Sequence, residues 1–177
     1  MRLFVAVDLP WELRETLANL LRGLPGARWV PEENLHLTLR FIGELPSHRA
    51  EEVDLALQAL RGKRFALTLS GVGTHSKQGR EVALWVGVER NPALEHLQTK
   101  IETALQRAGL PPEKRRFLPH VTLARLDGSS EAKLVSWVQS NNLFRAGPFE
   151  IDAITLFSSQ LGKEASVYTA EVAYPLS

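Results

Sequence analysis

Two tetrapeptides carry the residues best suited to chemistry. His36-Leu37-Thr38-Leu39 and His120-Val121-Thr122-Leu123 both read His-x-Thr-Leu, in a chain with only five histidines. Two imidazoles and two hydroxyls, with no carboxylate cluster beside them, suit in-line attack on phosphorus. Such attack needs a base for the incoming oxygen and an acid for the outgoing one. Imidazole, with an ordinary pKa of about 6.5, can serve as either near neutral pH. The threonine hydroxyls can donate hydrogen bonds to the non-bridging phosphate oxygens. Nothing in the motifs themselves says which histidine is the acid, because the two copies are alike.

Strand alternation explains the spacing. In an extended segment His36 and Thr38 project together while Leu35, Leu37 and Leu39 project to the other face, and His120 and Thr122 pair in the same way against Val121 and Leu123. By the same alternation Arg40 falls with His36, whereas Arg125 falls opposite His120 unless a bulge intervenes. The copies lie 84 residues apart, near half of the 177-residue chain. That separation suggests two lobes, each presenting one His and one Thr.

The elements that must position these motifs alternate between two periods. Strands are expected over 2–8, 28–30, 35–42, 65–72, 82–88, 120–126, 149–158 and 166–173, with HSKQGR (residues 75–80) as a turn. Helices are expected over about 10–23, 47–61, 92–109 and 130–140. Asp8, Ser47 and Asn91 are the candidate caps, and Pro10 and Pro92 sit in first turns. This order favours an α+β fold over a doubly wound parallel sheet, with antiparallel or mixed sheets flanked by helices. No Pro/Gly/Ser-rich linker divides the chain, so residues 1–177 read as one domain of two lobes.

Composition narrows the function. The chain is 44% hydrophobic and 23% charged, ordinary globular values that exclude disorder and low complexity. Cysteine is absent, which removes disulfides, Cys-ligated zinc and thiol nucleophiles. The apolar run in RLFVAVD is too short for a signal peptide, and no stretch reaches membrane-helix length. A soluble cytoplasmic protein is expected. With 21 basic and 20 acidic residues the net charge is +1, so a nucleic acid would have to be held by a local patch.

Around the motifs the chain resembles the 2H phosphoesterase superfamily, through Arg28-Trp29-Val30, the run from Glu33 to Glu44 (ENLHLTLRFIGE) and Phe117–Arg125 (FLPHVTLAR). Within it the chain is most similar to the RNA 2′,3′-cyclic phosphodiesterases, formerly called 2′-5′ RNA ligases. The opening RLFVAVDLP, Ala83–Gly87 (ALWVG), Leu156–Ser159 (LFSS) and Tyr168 extend the match over nearly the whole chain. His75 departs from it, standing where many relatives carry an aromatic residue. The resemblance implies a bilobal, pseudo-twofold fold with the motifs facing a central cleft. It implies opening of a 2′,3′-cyclic phosphate at an RNA 3′ end, tRNA fragments included, to a 2′-phosphate. His36 would be the proton donor to O3′ and His120 the acceptor from water. Run in reverse with a 5′-hydroxyl RNA end, the reaction would make a 2′-5′ linkage without ATP. No cofactor or metal is expected, and the chain is expected to be a monomer.

The phosphate-binding candidates are Thr38, Thr122 and Arg125. Phe41 could stack on a terminal base, and Arg40, Arg115 and Arg116 could touch RNA. His48 and His96 receive no role. Two other readings stand beside this one: a module that binds RNA ends without turnover, and a 2H phosphodiesterase of small cyclic nucleotides. A metal hydrolase would need His-x-His or His-Glu-x-x-His spacing, and neither motif occurs.

Overall fold

The computed structural model describes residues 1–177. Its elements are β1 (Arg2–Asp8), α1 (Trp11–Ala18), β2 (Ala27–Trp29), a 3-10 turn (Glu32–Asn34), β3 (His36–Glu44), α2 (Ser47–Gln58), β4 (Phe65–Lys77), β5 (Arg80–Val88), α3 (Pro92–Arg107), β6 (His120–Leu126), α4 (Glu131–Asn141), β7 (Arg145–Ile151), β8 (Ala153–Gln160) and β9 (Val167–Pro175). The class is α+β. All nine strands join one antiparallel sheet in the order β7-β4-β5-β6-β3-β1-β8-β9, with β2 paired to β6.

The sheet divides into two four-stranded halves, β3-β1-β8-β9 and β6-β5-β4-β7, each beginning at the centre with a motif strand. The halves meet through a single residue pair, Leu37 opposite Val121. These are the middle residues of the two motifs. Neither half is a continuous half of the chain, because β8 and β9 return to pair beside β1.

All four helices lie against one face of the sheet. Alternation along β1 shows the division: Leu3, Val5 and Val7 enter the main core of 34 buried residues, while Phe4 and Ala6 join Phe157 in a separate cluster on the other face. Leu13, Leu17, Val53, Leu57, Leu94, Leu97, Ile101, Leu105, Leu134 and Trp137 bring the helical stripes into the main core. The second face carries no helix. The motif histidines open onto it.

Several local expectations are corrected. The first helix stops at Ala18, and Leu20, Leu21 and Arg22 continue in turns. Asp8 does not cap it. Pro10 holds that position, and Asp8 pairs with Arg14 instead. Ser47 is likewise inside its helix, with Pro46 at the cap, whereas the Asn91 side chain does accept the Leu94 N–H at 3.1 Å. The strand expected over 149–158 is two strands broken at Asp152. β7 edges β4 in one half, and β8 pairs with β1 in the other. The segment 75–80 is no loose turn: β4 and β5 run on as a projecting ribbon closed by Gln78 and Gly79, whose φ values are 54° and 76°. Positive φ at both positions is the two-residue turn that matches strand twist, and glycine adopts it without strain.

Candidate active site

Because Leu37 and Val121 are directly opposite and both fully buried, they point to the helical side. His36, Thr38, His120 and Thr122 therefore all project from the opposite face. Antiparallel register also sets the diagonal, placing His36 toward Thr122 and Thr38 toward His120.

Each motif then bends in the same way. Thr38 is opposite Ala6 and Arg40 opposite Val5, so Leu39 is one extra residue in β3. Thr122 is opposite Trp85 and Ala124 opposite Leu84, so Leu123 is one extra residue in β6. A bulge at the motif leucine thus resets the alternation in both copies. Beyond it Phe41 and Arg125 return to the histidine face, while Arg40 and Ala124 turn into the core. The bulge that Arg125 required is present. Arg40 is corrected: it does not share a face with His36 and is not available to RNA.

Arg40 is only 7% exposed and ties three segments together. Its Nε donates to Glu102 at 2.6 Å, its Nη1 to the Phe41 carbonyl at 2.8 Å and its Nη2 to the Pro111 carbonyl at 2.5 Å. Burial alone would push the Glu102 carboxyl up, but hydrogen bonds from Arg40, the Glu113 N–H and Gln106 outweigh it and hold the group at about 2. The pair positions the Phe41 strand and the start of the loop that leads to His120.

The two imidazoles are oriented alike. Nδ1 of His36 donates to the Asn34 carbonyl, and Nδ1 of His120 to the Leu118 carbonyl, each at 2.7 Å. Each carbonyl belongs to the residue two before its histidine. A proton fixed on Nδ1 leaves Nε2 as the atom that gains or loses a proton. Nε2 of His36 lies 2.9 Å from the Thr38 hydroxyl.

Their surroundings differ. His36 is half-buried among Phe4, with ring centroids 5.0 Å apart, Tyr168 edge-on at 5.3 Å, and Phe157 at 6.5 Å. Burial lowers its pKa below 6.5; the Asn34 carbonyl and Asp8 push upward, and Arg14 and His120 downward. Arg14 is itself buried, donating to the Glu32 and Glu33 carbonyls as well as to Asp8, and so fixes the turn that presents Asn34. His120 is exposed, with Trp85 at 6.4 Å between ring centroids. The Trp85 ring lies over Gly73, where a Cβ would collide with it.

Phe41 is 39% exposed on the histidine face, and the Arg2 guanidinium lies 5.3 Å from its ring centre. Arg115 is solvent-exposed and near its own neighbour Glu113, at 3.5 Å, and Arg116 is exposed on the same loop. Sequence reasoning assigned no task to Phe4, Trp85, Phe157, Tyr168 or Arg14. Phe4, Trp85, Phe157 and Tyr168 were visible only as positions within the matched segments, and Arg14 lay outside them. Two surface depressions of about 550 and 480 Å³ lie among the helices and contain neither motif, whereas the histidines stand on the helix-free face.

A family model described as the 2′-5′ RNA ligase superfamily matches residues 8–163. An RNA 2′,3′-cyclic phosphodiesterase of Aeropyrum pernix is 35% identical over 158 residues, covering 88% of each chain. One from Escherichia coli is 31% identical, covering 95% of this chain and 92% of its own. The crystal structure of E. coli LigT complexed with 3′-AMP superposes with a TM-score of 0.80 at 29% identity, covering 99% of this chain and 97% of that one.

Proposed function

The chain belongs to the 2′-5′ RNA ligase superfamily, and on that premise we propose that it hydrolyses RNA 2′,3′-cyclic phosphate ends to 2′-phosphomonoesters by two-histidine acid–base catalysis. The observation that carries the reading is the matched pair of imidazoles, each held at Nδ1 by a carbonyl at 2.7 Å and opening Nε2 to one face of the sheet. The cyclic phosphate sits between them. His120 Nε2 takes a proton from water as the water oxygen bonds to phosphorus. The P–O3′ bond breaks, and His36 Nε2–H gives its proton to O3′. Thr38, Thr122 and Arg125 hold the non-bridging oxygens, and Phe41 stacks on the terminal base.

The environments support this orientation. The exposed imidazole is the one that meets water, and the half-buried one faces the sugar oxygen away from bulk solvent. A bound phosphate anion raises the pKa of His36 and so favours the protonated acid. The same steps in reverse, with a 5′-hydroxyl RNA end in place of water, form a 2′-5′ linkage without ATP. The chain works as one two-lobed domain and as a monomer. Its substrates are cytoplasmic RNA fragments, those of tRNA among them.

Replacing either histidine by alanine tests the reading. His36→Ala and His120→Ala each lower hydrolysis by about 10²–10⁴ while RNA-end binding falls far less, and wild-type turnover persists in EDTA. Equal loss of binding and turnover would instead favour a non-catalytic RNA-end module. Loss in EDTA with rescue by a divalent metal would reject the two-histidine mechanism.

A further inference from the structure

The sheet register aligns a row of residues across the helix-free face: Arg28 is opposite Arg125, Arg125 opposite Ala83, and Ala83 opposite His75. Directly opposed residues share a face, so all four side chains stand on the face that carries His120 and Thr122. Trp29, the neighbour of Arg28, confirms the parity by packing on the opposite side against Trp137 of α4, 6.0 Å between ring centroids. Ala83 is the small member of the row. It leaves an open floor about 10 Å wide, two strand spacings, between β6 and β4.

Two residues further along β4, about 7 Å away, Lys77 stands opposite Arg80 on the same face of the projecting ribbon. Like charges directly opposite each other destabilise a sheet. Here there are two such pairs, Arg28 with Arg125 and Lys77 with Arg80, and none of the four residues is in an ion pair. The nearby carboxylate, Glu81, accepts from Ser76, whose alternation puts it on the reverse face of the ribbon. In a chain of net charge +1 this is a one-sided concentration of cations, and it begins beside the phosphate site. The row leads outward from that site across the open floor and along the ribbon, and guanidinium groups suit phosphate oxygens.

We propose that Arg28, His75, Lys77 and Arg80 form, with Arg125, a cationic track that binds the phosphodiester backbone of the RNA upstream of its reacting end. The proposal rests on the cyclic-phosphate reading and deepens it. The track selects RNA chains over mononucleotides and makes the projecting β4–β5 ribbon part of the substrate surface. His75 belongs to this track rather than to an aromatic rim.

The test uses the double variant Lys77→Gln/Arg80→Gln, both exposed at the ribbon tip, with Arg28→Gln as a second variant. Steady-state constants are measured for an RNA oligomer ending in a 2′,3′-cyclic phosphate and for a mononucleoside 2′,3′-cyclic phosphate, across a salt series. The double variant raises KM for the oligomer about tenfold at low salt, leaves its kcat unchanged, and reduces the log–log salt slope by about 1.4 for two lost single-strand contacts. Both constants for the mononucleoside stay as in the wild type. An unchanged oligomer KM, or an equal change with both substrates, overturns the track. So does an effect confined to a 5′-hydroxyl acceptor RNA during ligation. Binding of RNA with a plain 3′-hydroxyl, followed by fluorescence anisotropy, separates the two readings. If the wild type turns over neither cyclic phosphate, the catalytic reading fails, and weaker RNA binding by the variants still decides whether the track exists.

Discussion

Glu102→Gln isolates the device that holds the first motif strand to the loop before the second. In the wild type Glu102 accepts from Arg40 Nε at 2.6 Å and from the Glu113 N–H and Gln106 Nε2 at 2.9 Å each. Its carboxyl is held at about 2 against an ordinary 4.5. That depression corresponds to about 3 kcal/mol of stability at neutral pH, at about 1.4 kcal/mol per pH unit. The amide removes the charge and leaves a buried guanidinium with only carbonyl partners, which costs about 3–5 kcal/mol. Because the folded pKa is the lower one, the contribution is complete above pH 4.5 and disappears as pH falls toward 2. Urea unfolding across that range reads both effects. The variant is less stable at pH 7, and its deficit shrinks steadily on acidification. Arg40→Met/Glu102→Leu, which removes both charges, recovers most of the loss. A deficit at pH 7 below about 1 kcal/mol, the scale of an exposed pair, would refute the reasoning. So would a deficit that stays constant as pH falls.

Two further outcomes follow from the site. Burial lowers the pKa of His36 in the free enzyme, and a bound phosphate favours its imidazolium, so the alkaline limb of kcat, which reports the complex, lies at higher pH than that of kcat/KM, which reports the free enzyme. A pH–rate series measures both. The two limbs belong to the coupled pair, but His36→Ala flattens the high-pH side, and an unaltered high-pH side in that variant would contradict the assignment. Gly73→Ala drives a methyl group into the Trp85 ring; it costs about 1–3 kcal/mol of stability and lowers turnover by displacing the ring beside His120, and unaltered melting and turnover would show that the contact is slack.

The motif chemistry was legible because it needs only residue type and a period of two. The helices were legible because leucines recur on one face, as Leu94, Leu97, Ile101 and Leu105 do in α3. The bulges were not. A single extra residue has no marker of its own in Leu39 or Leu123, yet it decides that Arg40 is a core ion pair while Phe41 and Arg125 face the histidines. Alternation alone reverses the roles of Arg40 and Arg125. The aromatic surround of His36 was hidden for a related reason. β1 is apolar on both faces, so nothing in RLFVAVD separates Phe4 from Leu3 and Val5, and Phe157 and Tyr168 come from strands over 100 residues away. Asp8 had the right type and place for a helix cap. Arg14, a charge on an otherwise apolar helical stripe, was the available sign that Asp8 had another partner.

The central claim is the direction in which the cyclic phosphate opens, and the product reports it directly. An RNA oligomer ending in a 2′,3′-cyclic phosphate, incubated with the wild-type protein and followed by phosphorus NMR, is predicted to give a single 2′-phosphomonoester with a free 3′-hydroxyl. A 3′-phosphomonoester, or a cyclic phosphate left intact, would contradict it.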